Sequence, residues 1–438
     1  MQSRLFIIIG AFAFALTFFA SQTTHANIFP SSLVLQDTLT EDTRIDSIVI
    51  DRNWRTRDKI ILRELTFQPG DMVTPQMMKE SIDRVWNVGN FATVEWTLDD
   101  TTVSGKNIMR LTARDAFTII PLFAFNGSDQ DFTLDVGIID GNLFGRNIRG
   151  RFGYRFATFE RKWDIGLGIP RQLLYRNMTL DFNVKQGTQT NFLFADRKRD
   201  QGIAYDVIEA SVNIGNPWHE DYRYTFSPNL NIVYRAHDIY NIRLDSGITP
   251  LAEQEYNARF LRFRIDENIG LVNRKRHQED RWAVNLAYGL GVGLNDQSPM
   301  YHAVVISGEA HKLFNPIVQL SVEGRAGYTS NELPSGWFYR GAGDVRSITT
   351  GEIGGKAYYT MKVGGFFTYI NRNWFAMEQS VFFHFGQGAQ TVSGLFQEAP
   401  LFAVGTGVRL MTPMVPWFYF QFDVAYSGPN SNWYFIQW

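Results

Sequence analysis

Most of the chain, residues 116–438, alternates between apolar and polar residues with a period of two. Segments of about ten residues with this alternation recur to the last residue, and turn-rich gaps separate them. Successive side chains of a β-strand point to opposite faces, so the pattern predicts a run of strands. At about 20 residues for a strand with its connection, this region accommodates about sixteen strands.

The two faces of the predicted strands differ in chemistry. In residues 148–159, Arg151 and Arg155 fall on one face, and Phe152 and Tyr154 fall on the other. In a transmembrane β-barrel the apolar face meets lipid and the polar face lines a wet lumen. In a soluble β-sandwich, the alternative, the apolar face would be the core. We expect an antiparallel transmembrane barrel of about sixteen strands, because an even number suits a bacterial barrel.

Residues 43–115 show the pattern of a small α+β domain. Strand, helix, helix, strand and strand are predicted in that order, at residues 45–53, 56–65, 75–88, 91–100 and 106–115. Thr56 and Thr74 are the predicted helix N-caps. A sheet of three strands leaves edges that can pair with a strand of another chain. A spacer beneath the barrel is the alternative role for this domain.

The first 26 residues have the features of a secretory signal peptide. Arg4 precedes the apolar residues 5–20, and small residues lead to a cleavage position after Ala26. The alternative is a membrane anchor, but this apolar run falls short of the ~20 residues that a spanning helix needs. Residues 27–42 form a short segment without clear periodicity. We therefore expect an exported protein that enters a membrane as a β-barrel.

Composition removes several classes of function. The chain has no cysteine, which excludes disulfides, thiol catalysis and thiolate metal sites. A formal net charge of −2 gives no basic field for nucleic acid. The mean hydropathy of −0.19 is compatible with a barrel, since lumen-facing residues dilute the lipid-facing ones.

One glycine-rich stretch, residues 338–359, interrupts the alternation. Its charged residues include Arg340, Arg346, Asp344 and Glu352. Glycine weakens both helices and strands, so we expect a long loop. The strand count places this loop between strands 11 and 12, and we predict that it folds back into the barrel lumen.

No catalytic or metal-binding pattern stands out. The seven histidines form neither HxH nor HExxH. Fingerprints for serine hydrolases, dinucleotides and P-loops are absent in the required context, so we expect no enzyme, no metal and no cofactor. Some barrels that hydrolyse lipids use inward Ser and His, for which His384 with Ser380 or Ser347 is the pair to test.

Residues 63–96 resemble a POTRA domain, the periplasmic module of outer-membrane insertases and translocators. The resemblance rests on REL before the turn, on the turn Pro69-Gly70-Asp71, and on a helix that closes on NVGNFATV. It implies that residues 43–115 are a single POTRA domain and that residues 116–438 are the barrel of a BamA/TamA-like protein.

Further motifs in the barrel region resemble the same family. DGNLFGRN (140–147) is similar to a short periplasmic turn, formed here by Asn142, Leu143, Phe144 and Gly145. Gly145 is expected to supply a positive φ, and Phe144 an apolar anchor. GIPRQLL (168–174) is similar to the next such turn. The final WYFIQW resembles the barrel-assembly signal, with Tyr434, Ile436 and Trp438 on one face.

The glycine-rich loop also resembles the family, whose hallmark there is VRGF or VRGY. Val345, Arg346, Ser347 and Ile348 occupy the four hallmark positions, and Arg340 belongs to a second, partial match. The resemblance implies that Arg346 locks the loop to the lumen wall.

The family's arginine pairs with acids on the barrel wall, and this sequence departs from that pattern. The expected acids fall on His384 and, approximately, on Lys362. A buried arginine without a carboxylate is costly, so another acid or backbone carbonyls must receive it. The candidate acids are Asp344, Glu352 and Glu378.

The resemblance implies a bacterial outer-membrane protein whose POTRA domain lies in the periplasm. It would insert or export β-rich client polypeptides, without a cofactor. Its expected partners are unfolded outer-membrane or secreted clients, outer-membrane lipid and periplasmic accessory proteins, and not nucleic acid. The alternatives are a two-partner-type secretion pore for one exoprotein and a porin or structural barrel without a transport role.

Overall fold

The structure is a computed structural model that describes residues 39–51, 53–101, 105–127, 131–169, 178–215, 224–240, 248–252, 254–275, 278–341, 344–349, 351–372, 375–411, 419–427 and 430–437. The predicted signal peptide, most of residues 27–42, residues 170–174 of the second periplasmic turn, and Trp438 lie outside these ranges. In the described part of the chain, no helix is long and apolar enough to cross a membrane.

The N-terminal unit is a small α/β domain. Its elements are β1 (Thr43–Arg44), β2 (Ser47–Asp51), α1 (Asp58–Leu62), β3 (Met72–Val73), α2 (Pro75–Asn87), β4 (Phe91–Thr101) and β5 (Lys106–Asp115). The sheet has the order β2-β5-β4, with β2 parallel and β4 antiparallel to β5. Two-residue strands β1 and β3, which the sequence pattern did not predict, pair with each other.

The helix caps of this domain agree with the sequence at one position and not at the other. Thr74 caps α2, because its Oγ accepts the backbone N–H of Met77 at 3.1 Å. The prediction that Thr56 caps α1 is wrong, because α1 begins at Asp58 after an Arg57 without a side-chain cap. The Thr56 hydroxyl instead donates to Asp115 at the far end of the sheet.

Buried apolar residues from every layer form the core of this domain. Ile61 from α1, Val85 from α2, and Met109 and Leu111 from β5 are fully buried together. The apolar faces of both helices thus cover one side of the sheet, as their residue spacing predicts.

The rest of the chain forms one closed antiparallel barrel. Its strands, with the short inserted ones, are β6 (Ile119–Gly127), β7 (Phe132–Leu143), β8 (Ile148–Ala157), β9 (Glu160–Ile169), β10 (Thr179–Ala195), β11 (Lys198–Gly215), β12 (Tyr224–Tyr240), β13 (Thr249–Pro250), β14 (Tyr256–Lys275), β15 (Gln278–Gly293), β16 (Tyr301–Leu313), β17 (Val318–Thr329), β18 (Phe338–Arg340), β19 (Ile353–Gly355), β20 (Ala357–Asn371), β21 (Ala376–Ala389), β22 (Leu401–Met411), β23 (Tyr419–Ser427) and β24 (Asn430–Gln437). In the described ranges, sixteen long strands close the barrel, and β13 adds a two-residue pairing to β11.

The two faces of the barrel strands follow the predicted division. Phe152 and Tyr154 on β8 are 48% and 39% exposed, on the outside. On the opposite face, Arg155 pairs with Asp135 of β7, with 2.6 Å between Nε and Oδ1. The barrel sheet is closed on itself, so the alternative prediction of a two-sheet sandwich is wrong.

The barrel closes through a short seam between its first strand, β6, and its last, β24. Residues 124–127 pair with residues 433–436, which gives four paired positions. Among the described residues, every other neighbouring pair of long strands has at least eight paired positions, as β8 has with β9. Each position adds backbone hydrogen bonds, so the seam is the weakest junction of the barrel.

Candidate functional site in the barrel lumen

The glycine-rich stretch is a loop between β17 and β20, the eleventh and twelfth barrel strands, as the strand count predicts. β18 pairs with β19 inside it, and Gly351 donates its N–H to the carbonyl of Arg340 at 2.9 Å. Odd-numbered barrel strands run away from the N-terminal domain. The eleventh strand, β17, therefore ends at the opposite end of the barrel, and the loop begins there. A Cβ on Gly354 would lie 2.9 Å from the Leu193 side chain on β10, so the loop lies against the inner wall.

Apolar side chains seat the loop. Val345, Ile348 and Ile353 are fully buried and pack with Tyr358 of β20 and Ala403 of β22. Burying such side chains stabilises the seated loop by about 1.5–3 kcal/mol for each one.

Ser347 shows why a glycine suits its position in the family hallmark. Its φ is +66°, in the left-handed region where a side chain is unfavourable. Two hydrogen bonds to the end of β23 compensate. The Ser347 hydroxyl donates to the Ser427 hydroxyl at 3.2 Å, and the Ser427 hydroxyl donates to the Ser347 carbonyl at 2.7 Å.

Arg346 reaches the barrel wall and pairs with Asp423 on β23, with 3.1 Å between Nη1 and Oδ2. The Asp423 side chain is fully buried and also accepts hydrogen bonds from Gln421 and Ser380. The guanidinium lies 4.4 Å from the ring centre of Phe382, within cation–π range. The pair joins the middle of the loop to the strand next to the seam.

None of the acids predicted from the sequence to receive Arg346 does so. Asp344 pairs with Arg340 and Arg325, Glu352 with Arg197, and Glu378 with Arg409. All three proposed substitutes therefore serve other arginines. The signal that identifies Asp423 is an acid on the polar face of β23, whose other face carries the exposed Phe422 and Tyr426.

Among the residues that the structure describes, the others predicted for the loop site do not contact Asp423 through an ion pair. His384 on β21 lies beside the loop, and its Nδ1 accepts the backbone N–H of Arg346 at 3.4 Å. Arg340 stays within the loop, 3.5 Å from Asp344, and stacks on Tyr358. The hydroxyls of Ser347 and Ser380 hydrogen-bond to Ser427 and Asp423, and not in a hydrolase arrangement with His384.

A second cluster of charges lies deeper in the lumen. Ligand atoms of Glu309, His311 and Glu323 lie within 4.8 Å of one another. Arg281 pairs with Glu309 at 2.9 Å and Lys362 with Glu323 at 3.2 Å. Both carboxylates are thus neutralised by cations of the wall, and we assign no metal to the cluster.

The turn of residues 140–147 docks onto the N-terminal domain. Arg57 donates its backbone N–H to the Gly145 carbonyl at 3.0 Å, and Asn142 donates to the Thr56 hydroxyl at 2.8 Å. Arg55 pairs with Asp140. Gly145 has the expected positive φ, +67°, and a Cβ there would lie 2.0 Å from the Arg55 carbonyl oxygen.

The predicted role of Phe144 as an apolar anchor is wrong. Its side chain is 76% exposed, and its φ is +58°. The turn is instead held by polar contacts of its backbone, including the Phe144 carbonyl, which accepts from the Nε of Arg57 at 3.2 Å.

The other two predicted motifs take simple positions. Gly70, in the turn Pro69-Gly70-Asp71, has φ +100° and donates its N–H to the Ile45 carbonyl at 2.7 Å. Tyr434 and Ile436 lie on β24, where both belong to the four paired positions of the seam.

No profile of a known protein family matches the chain. The chain is 31% identical over 151 residues to the outer membrane protein assembly factor BamA of Neorickettsia risticii, a match that covers 32% of this chain and 20% of that protein. The chain thus spans about a fifth of the length of this relative.

Solved structures show the same fold over most of the chain. BamA from Haemophilus ducreyi without its POTRA domains 1–3 matches with a TM-score of 0.58 and 14% identity, over 90% of this chain and 84% of that one. CdiB from Acinetobacter baumannii matches with 0.60 and 12%, over 91% and 74%. CdiB from Escherichia coli matches with 0.63 and 9%, over 91% and 77%.

Proposed function

We propose that this chain is an outer-membrane β-barrel protein related to BamA and CdiB, because part of its sequence matches BamA and it shares its fold with both. It lies in the bacterial outer membrane, and we propose that it assembles β-rich client polypeptides there. The observation that carries the proposal is the seam of four paired positions between β6 and β24.

A seam of this kind offers a route for a client strand. Unpaired backbone groups are expensive in lipid, so a seam opens only when a strand replaces the lost partner. A client β-segment that pairs with β6 or β24 supplies those hydrogen bonds. The reaction then exchanges one strand pairing for another and requires no cofactor.

The N-terminal domain fits the role of a single periplasmic POTRA domain. In its three-stranded sheet, β2 and β4 are the outer strands, and each leaves one edge for a client strand. The docked turn at residues 140–147 holds this domain at the entry to the barrel.

A disulfide across the seam tests the proposal. Phe125 of β6 stands opposite Phe435 of β24, and the chain has no other cysteine, so Phe125→Cys with Phe435→Cys forms one defined crosslink. The matched control is Val363→Cys with Phe383→Cys, opposite each other on β20 and β21.

Purified variants in liposomes receive an unfolded barrel client, and insertion is measured by protection from protease. We expect the oxidised seam variant to lose most of its insertion and to regain it with reductant, while the control remains active in both states. Full insertion through a quantitatively crosslinked seam contradicts the proposal.

A secretion pore for one exoprotein is the second candidate, supported by the structural likeness to CdiB. In this role the client crosses the lumen, so the loop anchored by Arg346 must move aside while the seam stays closed. Export that persists through the oxidised seam variant favours this candidate. A protein that neither inserts clients nor conducts ions would leave only the structural role. Ion conductance without insertion or export of a client would leave the porin.

A further inference from the structure

The hairpin of β10 and β11 ends in an unusual two-residue turn. Ala195 pairs with Lys198, which leaves Asp196 and Arg197 as the turn. Both have positive φ, +49° and +62°. Such a turn favours glycine at its second position, so the local backbone conformation is unfavourable for Arg197.

Arg197 contacts two other parts of the barrel mouth. Its Nε lies 2.7 Å from the Oε1 of Glu352 in the lumen loop, where the Glu352 side chain is 1% exposed. Its terminal nitrogens donate to the carbonyl and, at 3.1 Å, to the hydroxyl of Ser427, the last residue of β23. Hydrogen bonds from a charged donor are about twice as strong as neutral ones.

Arg199, in the same hairpin tip, contacts the start of a different strand. It pairs with Asp131, the residue before β7. Its guanidinium lies 4.5 Å and 4.7 Å from the ring centres of Phe159 and Phe192, which fix its position.

The contact of Arg197 with Ser427 and the contact of Arg199 with Asp131 lie on opposite sides of the seam. β23 is the fifteenth barrel strand and β7 is the second, and only β24 and β6 lie between them. We infer that the tip of the β10–β11 hairpin is a latch that bridges Ser427 and Asp131 and holds the outer end of the seam shut.

The latch has a direct physical consequence for opening. When β24 and β6 separate, Ser427 and Asp131 move apart, while Arg197 and Arg199 stay on one hairpin with seventeen paired positions. Opening must therefore break one set of arginine contacts. The contact with Glu352 adds that a loop leaving the lumen weakens the same latch.

The inference rests on the proposed function only in that the seam opens, so the test measures opening by itself. Val136 on β7 and Phe422 on β23 are both 40% exposed and take spin labels at introduced cysteines in the otherwise cysteine-free chain. Their strands stand three strand spacings, about 14 Å, apart across the closed seam. Distances are measured by electron-spin methods on the full chain in nanodiscs.

The latch variant is Arg197→Gly with Arg199→Met, and the control is Lys198→Met, an exposed residue of the same tip. Glycine suits the turn, so the hairpin keeps its fold. We expect the population with an open seam to rise at least twofold in the latch variant and to stay unchanged in the control. An unchanged distance distribution in a correctly folded latch variant overturns the inference.

Two further measurements separate the explanations. Heat-dependent gel mobility reports whether the barrel is folded, and Arg197→Gly alone carries the test if the double variant is not. The double variant Asp131→Arg with Arg199→Asp exchanges the two charges and keeps an ion pair. We expect its distances to lie closer to the wild-type values than those of the latch variant. If they do not, Arg199 is not part of the latch. If the seam opens but client insertion is unchanged, the latch stands and the proposed route through the seam fails.

Discussion

At the scale of single residues, the pair of Arg346 and Asp423 joins the loop to the barrel wall. Its carboxylate is fully buried and also receives Gln421 and Ser380, so the charge is held in one geometry. Breaking a buried ion pair of this kind costs about 3–5 kcal/mol, more than an exposed pair contributes. We therefore predict that Asp423 contributes as much as Arg346 to the proposed lock of the loop.

Asp423→Asn tests this residue-scale lock. The substitution keeps the shape but removes the charge that receives Arg346, so the seated loop loses about 3 kcal/mol. In planar bilayers we expect the open probability of the lumen to rise at least tenfold. The control is Glu332→Gln, whose carboxylate is 74% exposed in its pair with Lys356, and which should alter conductance little. Equal conductance in the wild type and in Asp423→Asn would contradict the proposal that this ion pair holds the loop in the lumen.

At the scale of elements, local chemistry sets the ends of α2 more firmly than those of α1. Thr74 and Pro75 fix the first turn of α2, whereas the five-residue α1 has no side-chain cap. Helices this short owe their stability to packing, and Ile61 of α1 is fully buried in the domain core.

Thr74→Ala should weaken α2 without disturbing the barrel. The lost cap costs about 1 kcal/mol. We expect amide hydrogen exchange across residues 75–87 to rise about fivefold where it proceeds by local opening, while exchange in the barrel strands is unchanged. The control Thr43→Ala removes only an exposed bond to the Glu41 carbonyl. Unchanged protection in α2 would show that packing alone holds this helix.

At the scale of the whole molecule, a buried polar junction joins the domain to the barrel. Thr56, Asp115 and Asn142 are 2%, 7% and 0% exposed, and they are linked by hydrogen bonds. Buried polar groups in a satisfied network specify one arrangement, because a shifted arrangement leaves them unpaired. The domain is thus held in one orientation at the barrel entry.

Gly145→Ala tests this junction. Its Cβ would lie 2.0 Å from the Arg55 carbonyl, so the two units must move apart. Gly105→Ala is the matched control, since Gly105 has φ +61° and no neighbour within 4 Å, and both variants pay about 1–2 kcal/mol for the backbone alone. Limited proteolysis should cut near residues 115–118 faster in Gly145→Ala only. Equal rates in the two variants would mean that the close contact does not hold the domain.

The sequence by itself determined the strand periodicity, the number of barrel strands, the order of elements in the N-terminal domain and the address of the glycine-rich loop. These features depend on local patterning, which neighbouring residues carry. Only the tertiary structure decided that Asp423 receives Arg346, that Thr56 joins the junction and does not cap α1, and that Phe144 is exposed. It also placed Arg197 beside Ser427, 230 positions apart. Barrel closure brings such residues together, and the length and register of the strands, which pattern defines only approximately, decide which side chains meet.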